Sequence, residues 1–449
     1  MKPAELRTRL ATHSISGRYT NMLGIGLGLA VLGLVLALQG LRTAPDRVWQ
    51  LVHVNWLFFT GLMFGSVGLA ASHKVANAKW SGLVIRFAEA AIAFLPISLL
   101  VIVLIFTVGY PAVYGPMDEQ LHGLFHGKAV WLSRPFMFGR MFFGTLILGW
   151  LGWRLVKADM LPDVHAARAS VSGGRRALFE KWTRGFDGSA ETLAANEVRI
   201  HRLAPTYVVV YALIMSIFAF DGIMALQPHW FSNLLGGFYF MGSYLGGHTL
   251  LALTMVYGVS QLGIGDLVSP KQRHDLGKLC FGFTVFWAYL MWAQFLVIWY
   301  GNMPEETGFV FARLWGHWLP VGRWVLLGMF IIPFAGLLGV APKKNRWSLA
   351  FFCSISLAAL WLERYLLVAP SVSPLPGPSF GVADIAPTFL LAGLFLASYA
   401  LFARIFPMVS PRLAEITINR ELGHHAVDVF DHEDADKDYL HDEEVEHLA

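Results

Sequence analysis

Runs of roughly twenty apolar residues recur along the chain, each closed by a short cluster of charge. About 20 such residues cross the hydrocarbon core of a bilayer. The pattern predicts ten spans, at 21–40, 49–71, 82–108, 131–155, 205–226, 236–262, 276–300, 316–341, 347–369 and 384–407. The long connection 156–204 is polar and carries both signs of charge, so it is expected as amphipathic helix and loop at the membrane surface. The expected fold is an all-α polytopic transmembrane helical bundle. Its divisions are an N-terminal segment 1–20, a first transmembrane bundle 21–155, the connection 156–204, a second bundle 205–407, and a tail 408–449.

Composition removes the soluble alternatives: 56% of residues are hydrophobic and 14% charged, against about 25% charged in soluble domains. The polar, basic N-terminus has no small-residue cleavage pattern after its first apolar run, so that run is expected as a retained span. Two cysteines, Cys280 and Cys353, exclude a thiolate-held iron–sulfur cluster or covalent haem in this chain. Lys and Arg are unevenly shared. One set of loops carries Lys74, Lys79, the many cations of 157–202, Lys271, Arg273, Lys343, Lys344 and Arg346. The alternate set has Arg42, Arg47, Lys128 and Arg313. This asymmetry puts both termini in the cytoplasm, and the pI of 9.0 reflects those inner loops, not nucleic-acid binding. The outer loops, such as "PLPGPSFG", are short and apolar-aromatic and suit docking of another subunit.

Ionisable residues inside the membrane cost several kcal/mol unless paired or hydrated, which makes each a candidate. Asp221 closes the run "TYVVVYALIMSIFAFDGIMAL", with His229 just beyond Pro228. Two readings stand: an interfacial cap held by a neighbouring arginine, or a proton-accepting pair near the outer surface. Glu119, His122 and His126 fall on one helical face nearby, too few ligands for a strong metal signal, and Arg134 and Arg140 follow in span four. Span seven brings Gln294, Tyr300, Asn302, Glu305 and Glu306 to its outer part, and span nine brings Glu363 and Arg364. Glu89 lies toward the cytoplasmic side, three residues after Arg86, and reads either as an i,i+3 ion pair or as the inner end of a proton path. His53 and His248 read as packing residues before haem ligands. The tail from Glu421 holds eleven acids and five histidines and is read as solvated, with metal binding as the alternative.

The strings "YALIMSIFAFDGIMALQPHWFSNLLGGFYFMGSYLGG" (211–247) and "HDLGKLCFGFTVFWAYLMWAQFLVIWYGNMPEET" (274–307) resemble the NrfD/polysulfide-reductase-C-type membrane subunits of bacterial alternative complex III, the ActF-type most closely. The resemblance implies two four-helix bundles with two additional helices, in a quinol:cytochrome c (or high-potential iron–sulfur protein) oxidoreductase of the bacterial inner membrane. It implies no redox metal bound by this chain. Haem c and iron–sulfur clusters would lie in partner subunits, beside an ActC-type membrane subunit and a terminal oxidase, with quinol or menaquinol as substrate. On this footing Asp221, His229, Glu305, Glu306, His126 and Glu89 are proton-transfer candidates, and Gln294, Tyr300, Asn302 and Arg140 are quinone-contact candidates. The competing readings are a secondary transporter, a purely structural anchor, and the membrane subunit of another NrfD-type reductase.

Overall fold

The computed structural model describes residues 19–121, 126–373 and 377–421, with side chains to 418. His122, residues 1–18, the first three residues of "PLPGPSFG" and the residues beyond Glu421 fall outside the described residues. Among the described residues there is no strand. Lipid offers no partner for backbone polar groups, so each span satisfies its own as helix.

Ten long helices follow: α1 Thr20–Thr43, α2 Pro45–Val75, α3 Ile85–Asp118, α4 Arg134–Ala167, α5 Ala190–Gly222, α6 Leu235–Gln261, α7 Pro270–Gly301, α8 Gly316–Leu337, α9 Arg346–Val372 and α10 Val382–Ile405. Nine of them are long and apolar enough to cross a membrane. The tenth, α6, is as long, but Gly, Ser, Tyr and His dilute its apolarity, and most of its Gly and Ser positions are buried against neighbouring helices. Local chemistry sets the ends. Ser269 and Asn345 accept hydrogen bonds from the first amides of α7 and α9, and α7 stops at Asn302, in the left-handed region at φ 46°. Within α3 and α8, a widened turn at Ile105–Gly109 precedes Pro111, and another at Leu327–Ile331 precedes Pro333. Proline lacks an N–H and crowds the preceding turn, which these bulges relieve.

The two helices flanking the polar connection are longer than their apolar runs. Val156, Leu161 and Val164 continue the buried side of α4, and Ile200 and Ala204 do so for α5. An amphipathic pattern thus carries helix beyond the hydrophobic stretch. Between them lies a short helix, Gly173–Trp182.

Helices α2–α5 pack as one four-helix group and α6–α9 as a second, joined where α2 meets α6. The most apolar window of α2 is wholly buried, against 22% for α1, so α2 is the central span. The outer pair, α1 and α10, closes on small residues: Gly26, Ala30 and Gly33 lie against Leu390, Gly393 and Ala397. One end of the bundle gathers residues 74–84, the 168–189 link, residues 338–346 and a C-terminal helix, Pro411–Glu421. It is called here the basic end.

Candidate functional site

At the basic end, Arg86 and three carboxylates are buried together, with Lys74 half-buried at their edge. Arg86 reaches Asp163 at 2.9 Å, Asp159 at 3.1 Å and, one helical turn along α3, Glu89 at 3.2 Å. Lys74, at the end of α2, forms a second ion pair with Asp159. Asp159 and Asp163 sit at i,i+4 on α4, on one face. The hydroxyl of Ser410, before the C-terminal helix, donates to Asp163 at 3.0 Å. Arg86 and Glu89 are 1% and 0% exposed, so this network lies in a low-dielectric interior. By formal count these three acids face two bases, one negative charge in excess.

A vestibule of about 460 Å³ leads to this network from the basic end. Its walls include Lys74, Asp159, His73, His201, Glu197 and Arg412. The C-terminal helix supplies Arg412, and Thr417 anchors that helix by donating to the Lys79 carbonyl at 2.7 Å. Water in the vestibule can therefore touch the Lys74–Asp159 pair while Glu89 stays inside.

At the opposite end, Asp221 is held by Arg140 through two hydrogen bonds of 2.8 Å. Arg140 also donates to the Trp131 carbonyl at 2.9 Å and lies 3.9 Å over the Trp131 ring. The arginine expected beside Asp221 is thus Arg140, with both of its hydrogen-bonding contacts to the carboxylate made. A second ion pair, Arg47–Asp384, ties α2 to α10, with Tyr365 accepting from Arg47 at 2.6 Å. On α9, Glu363 accepts from Arg364 at 2.6 Å and from the Trp287 indole at 3.4 Å. Arg364 also donates to the Tyr239 carbonyl at 3.1 Å and to Ser243 at 3.2 Å.

Glu363 and Gln294 border an apolar cleft of about 130 Å³ between α6, α7, α8 and α9, lined by Phe238, Trp287, Met291 and Phe309. Arg313, also at its edge, is committed to the Leu367 carbonyl and Ser371 at 2.7 and 2.6 Å. Its lining is almost wholly apolar, with Gln294, Glu363 and Arg313 as the polar groups on its border. The short helix Pro304–Leu314 roofs it. Trp230 stacks on Phe309 at 3.6 Å and 6°, so the segment after α5 is fastened to this short helix.

The remaining sequence candidates are dispersed. His229, His126, Glu305, Tyr300 and Asn302 are exposed, and Glu306 is half-buried. Tyr300, at 85% exposure, points away from the cleft that holds Gln294. Among the described residues no hydrogen bond or ion pair joins Asp221 to His229, His126, Glu305 or Glu306. His53 meets the Gly222 carbonyl at 2.8 Å and His248 the Tyr244 carbonyl at 2.9 Å, as packing residues do.

Lys74, Asp159 and Asp163 are absent from the sequence candidates. They lie just past the apolar runs, where a charge reads as solvated, and the one local sign of their role is two aspartates at i,i+4 among buried apolar neighbours. No family model matches the chain, and no curated protein matches it.

Proposed function

We propose that the chain is a proton-transferring membrane subunit of a quinol:cytochrome c oxidoreductase of the alternative complex III type. On this reading it lies in a bacterial cytoplasmic membrane with its basic end and both termini inside. The observation that carries the proton role is the buried Arg86 network, whose excess carboxylate sits behind a vestibule open at the basic end. The place in the complex rests on the resemblance of the 211–247 and 274–307 strings.

Quinol oxidation frees two protons with two electrons, and the electrons pass to haem c and iron–sulfur centres of partner subunits. This chain contributes groups that handle protons. A proton arriving through the vestibule meets Asp159 beside Lys74 and passes among the carboxylates around Arg86 to Glu89. At the other end, Gln294 and Glu363 supply hydrogen bonds to a quinol hydroxyl in the apolar cleft.

The test is Glu89→Gln in the assembled complex, isolated with its haem c and iron–sulfur absorbance. Proton uptake per electron at the basic end falls while quinol oxidation with an uncoupler persists. Unchanged proton uptake removes the role of Glu89. A chain that always isolates alone, without those absorbances, overturns its place in the complex and favours the transporter reading.

A further inference from the structure

The loops before α7 and α9 meet at the basic end and border an open surface groove of about 710 Å³, separate from the vestibule at Asp159. Arg273 pins the two loops together: its guanidinium donates to the Lys344 carbonyl at 2.8 Å and to the Val268 carbonyl at 2.7 Å. Lys344 and Arg346 line the same groove, with Asp266 as the acid on its wall. Arg346 lies 5.0 Å over the ring of Trp347. The helices α7 and α9 begin here, at Pro270 and Arg346, so their positive dipole ends add to the cationic field.

Immediately beside these cations the surface turns apolar. Trp347 is 56% exposed and packs edge-on against Tyr257 at 6.0 Å, which is 52% exposed. Phe351, one turn further along α9, is 60% exposed. A cationic groove, then amphipathic aromatic rings, then bare apolar surface match, in the same order, the headgroup, interfacial region and acyl chains of an anionic amphiphile.

We propose that this groove binds the phosphodiester headgroup of an anionic phospholipid, with the acyl chains along Trp347, Tyr257 and Phe351. Lys344 and Arg346 hold the phosphate, and Arg273 keeps the two loops at the spacing that admits it. The lipid bridges α7 and α9, which belong to the same four-helix group.

The experiment measures lipids retained by the purified full-length protein through graded delipidation, by native mass spectrometry, with phosphatidylglycerol or phosphatidylcholine supplied. The intact protein retains phosphatidylglycerol preferentially. Lys344→Gln and Arg346→Gln each weaken that retention about fivefold. Lys181→Gln with Arg184→Gln, exposed cations of the 168–189 link, leaves it unchanged. Equal retention of the two lipids by the unsubstituted protein overturns the proposal, whatever the variants do. So does phosphatidylglycerol retention that survives both substitutions. Displacement of the lipid by millimolar inorganic phosphate assigns the groove to free phosphate and overturns the lipid as its ligand.

Discussion

Arg140 grips Asp221 with two hydrogen bonds of 2.8 Å, one to each carboxylate oxygen. The aspartate side chain is 1% exposed and the arginine 14%, so the pair is asymmetric in what it loses when broken. Arg140→Ala strands a buried carboxylate and is expected to cost about 3–5 kcal/mol. Asp221→Asn costs less, because Arg140 keeps the Trp131 carbonyl and ring. Thermal unfolding in detergent checks the order. The double variant Arg140→Gln/Asp221→Asn recovers most of the loss, since neither charge is then left alone. Equal losses from the two single substitutions would mean that Arg140 draws nothing from Trp131.

The network around Arg86 predicts the opposite kind of contrast. Asp159 serves both Lys74 and Arg86, so Asp159→Asn takes the ion-pair partner from half-buried Lys74 and weakens the pairing of buried Arg86, at a cost of about 3 kcal/mol. Glu89 is the third acid on one guanidinium that already has two. Glu89→Gln removes surplus charge and keeps the shape, so stability changes by about 1 kcal/mol or less. The two unfolding midpoints in detergent decide it. A Glu89→Gln protein as unstable as Asp159→Asn would show Glu89 to be a required counter-ion and not the spare carboxylate.

How much of this was legible beforehand depended on whether each feature was local. Hydropathy located the spans, because each has to satisfy its backbone within itself in lipid. The amphipathic helix expected in 156–204 is continuous with α4 and α5, which the mixed apolar and charged residues such as Val156, Asp159 and Val164 do not show by themselves. The Arg86–Glu89 pair was readable from its i,i+3 spacing. Its junction with Lys74, Asp159 and Asp163 was not, since the aspartates lie on α4, far along the chain, and all meet only through the packing of α2, α3 and α4. Buried polar residues of α2, such as Arg47, Gln50 and Asn55, were hidden for a related reason: their partners lie on α10, α3, α9 and neighbouring loops.

Close approach between α1 and α10 rests on glycine, and one substitution tests it. A side chain at Gly33 runs into the backbone of Phe389 and Leu390, whereas one at Gly28 meets open space on the exposed side. Gly33→Leu therefore pushes α1 off α10, and Gly28→Leu does not. Trypsin cleavage after Arg42, which is exposed at the α1–α2 junction, reads the difference. Faster cleavage is expected for Gly33→Leu alone. Equal rates for both variants would mean that α1 is held by something other than this crossing.

Cys280 and Cys353, the chain's two cysteines, face each other across α7 and α9 with their sulfur atoms 3.9 Å apart. Both are buried in the second four-helix group, where water-soluble reagents do not reach. A membrane-permeant two-electron oxidant such as diamide is expected to join them: each thiol loses its proton, the sulfurs bond, and the azo group takes up two electrons and two protons. A protease site placed in the Asn302–Trp315 connection then releases two fragments that stay linked until reductant is added. Cys280→Ala abolishes the link. Fragments that separate without reductant, although both thiols have been consumed, would show that α7 and α9 do not hold these residues in contact.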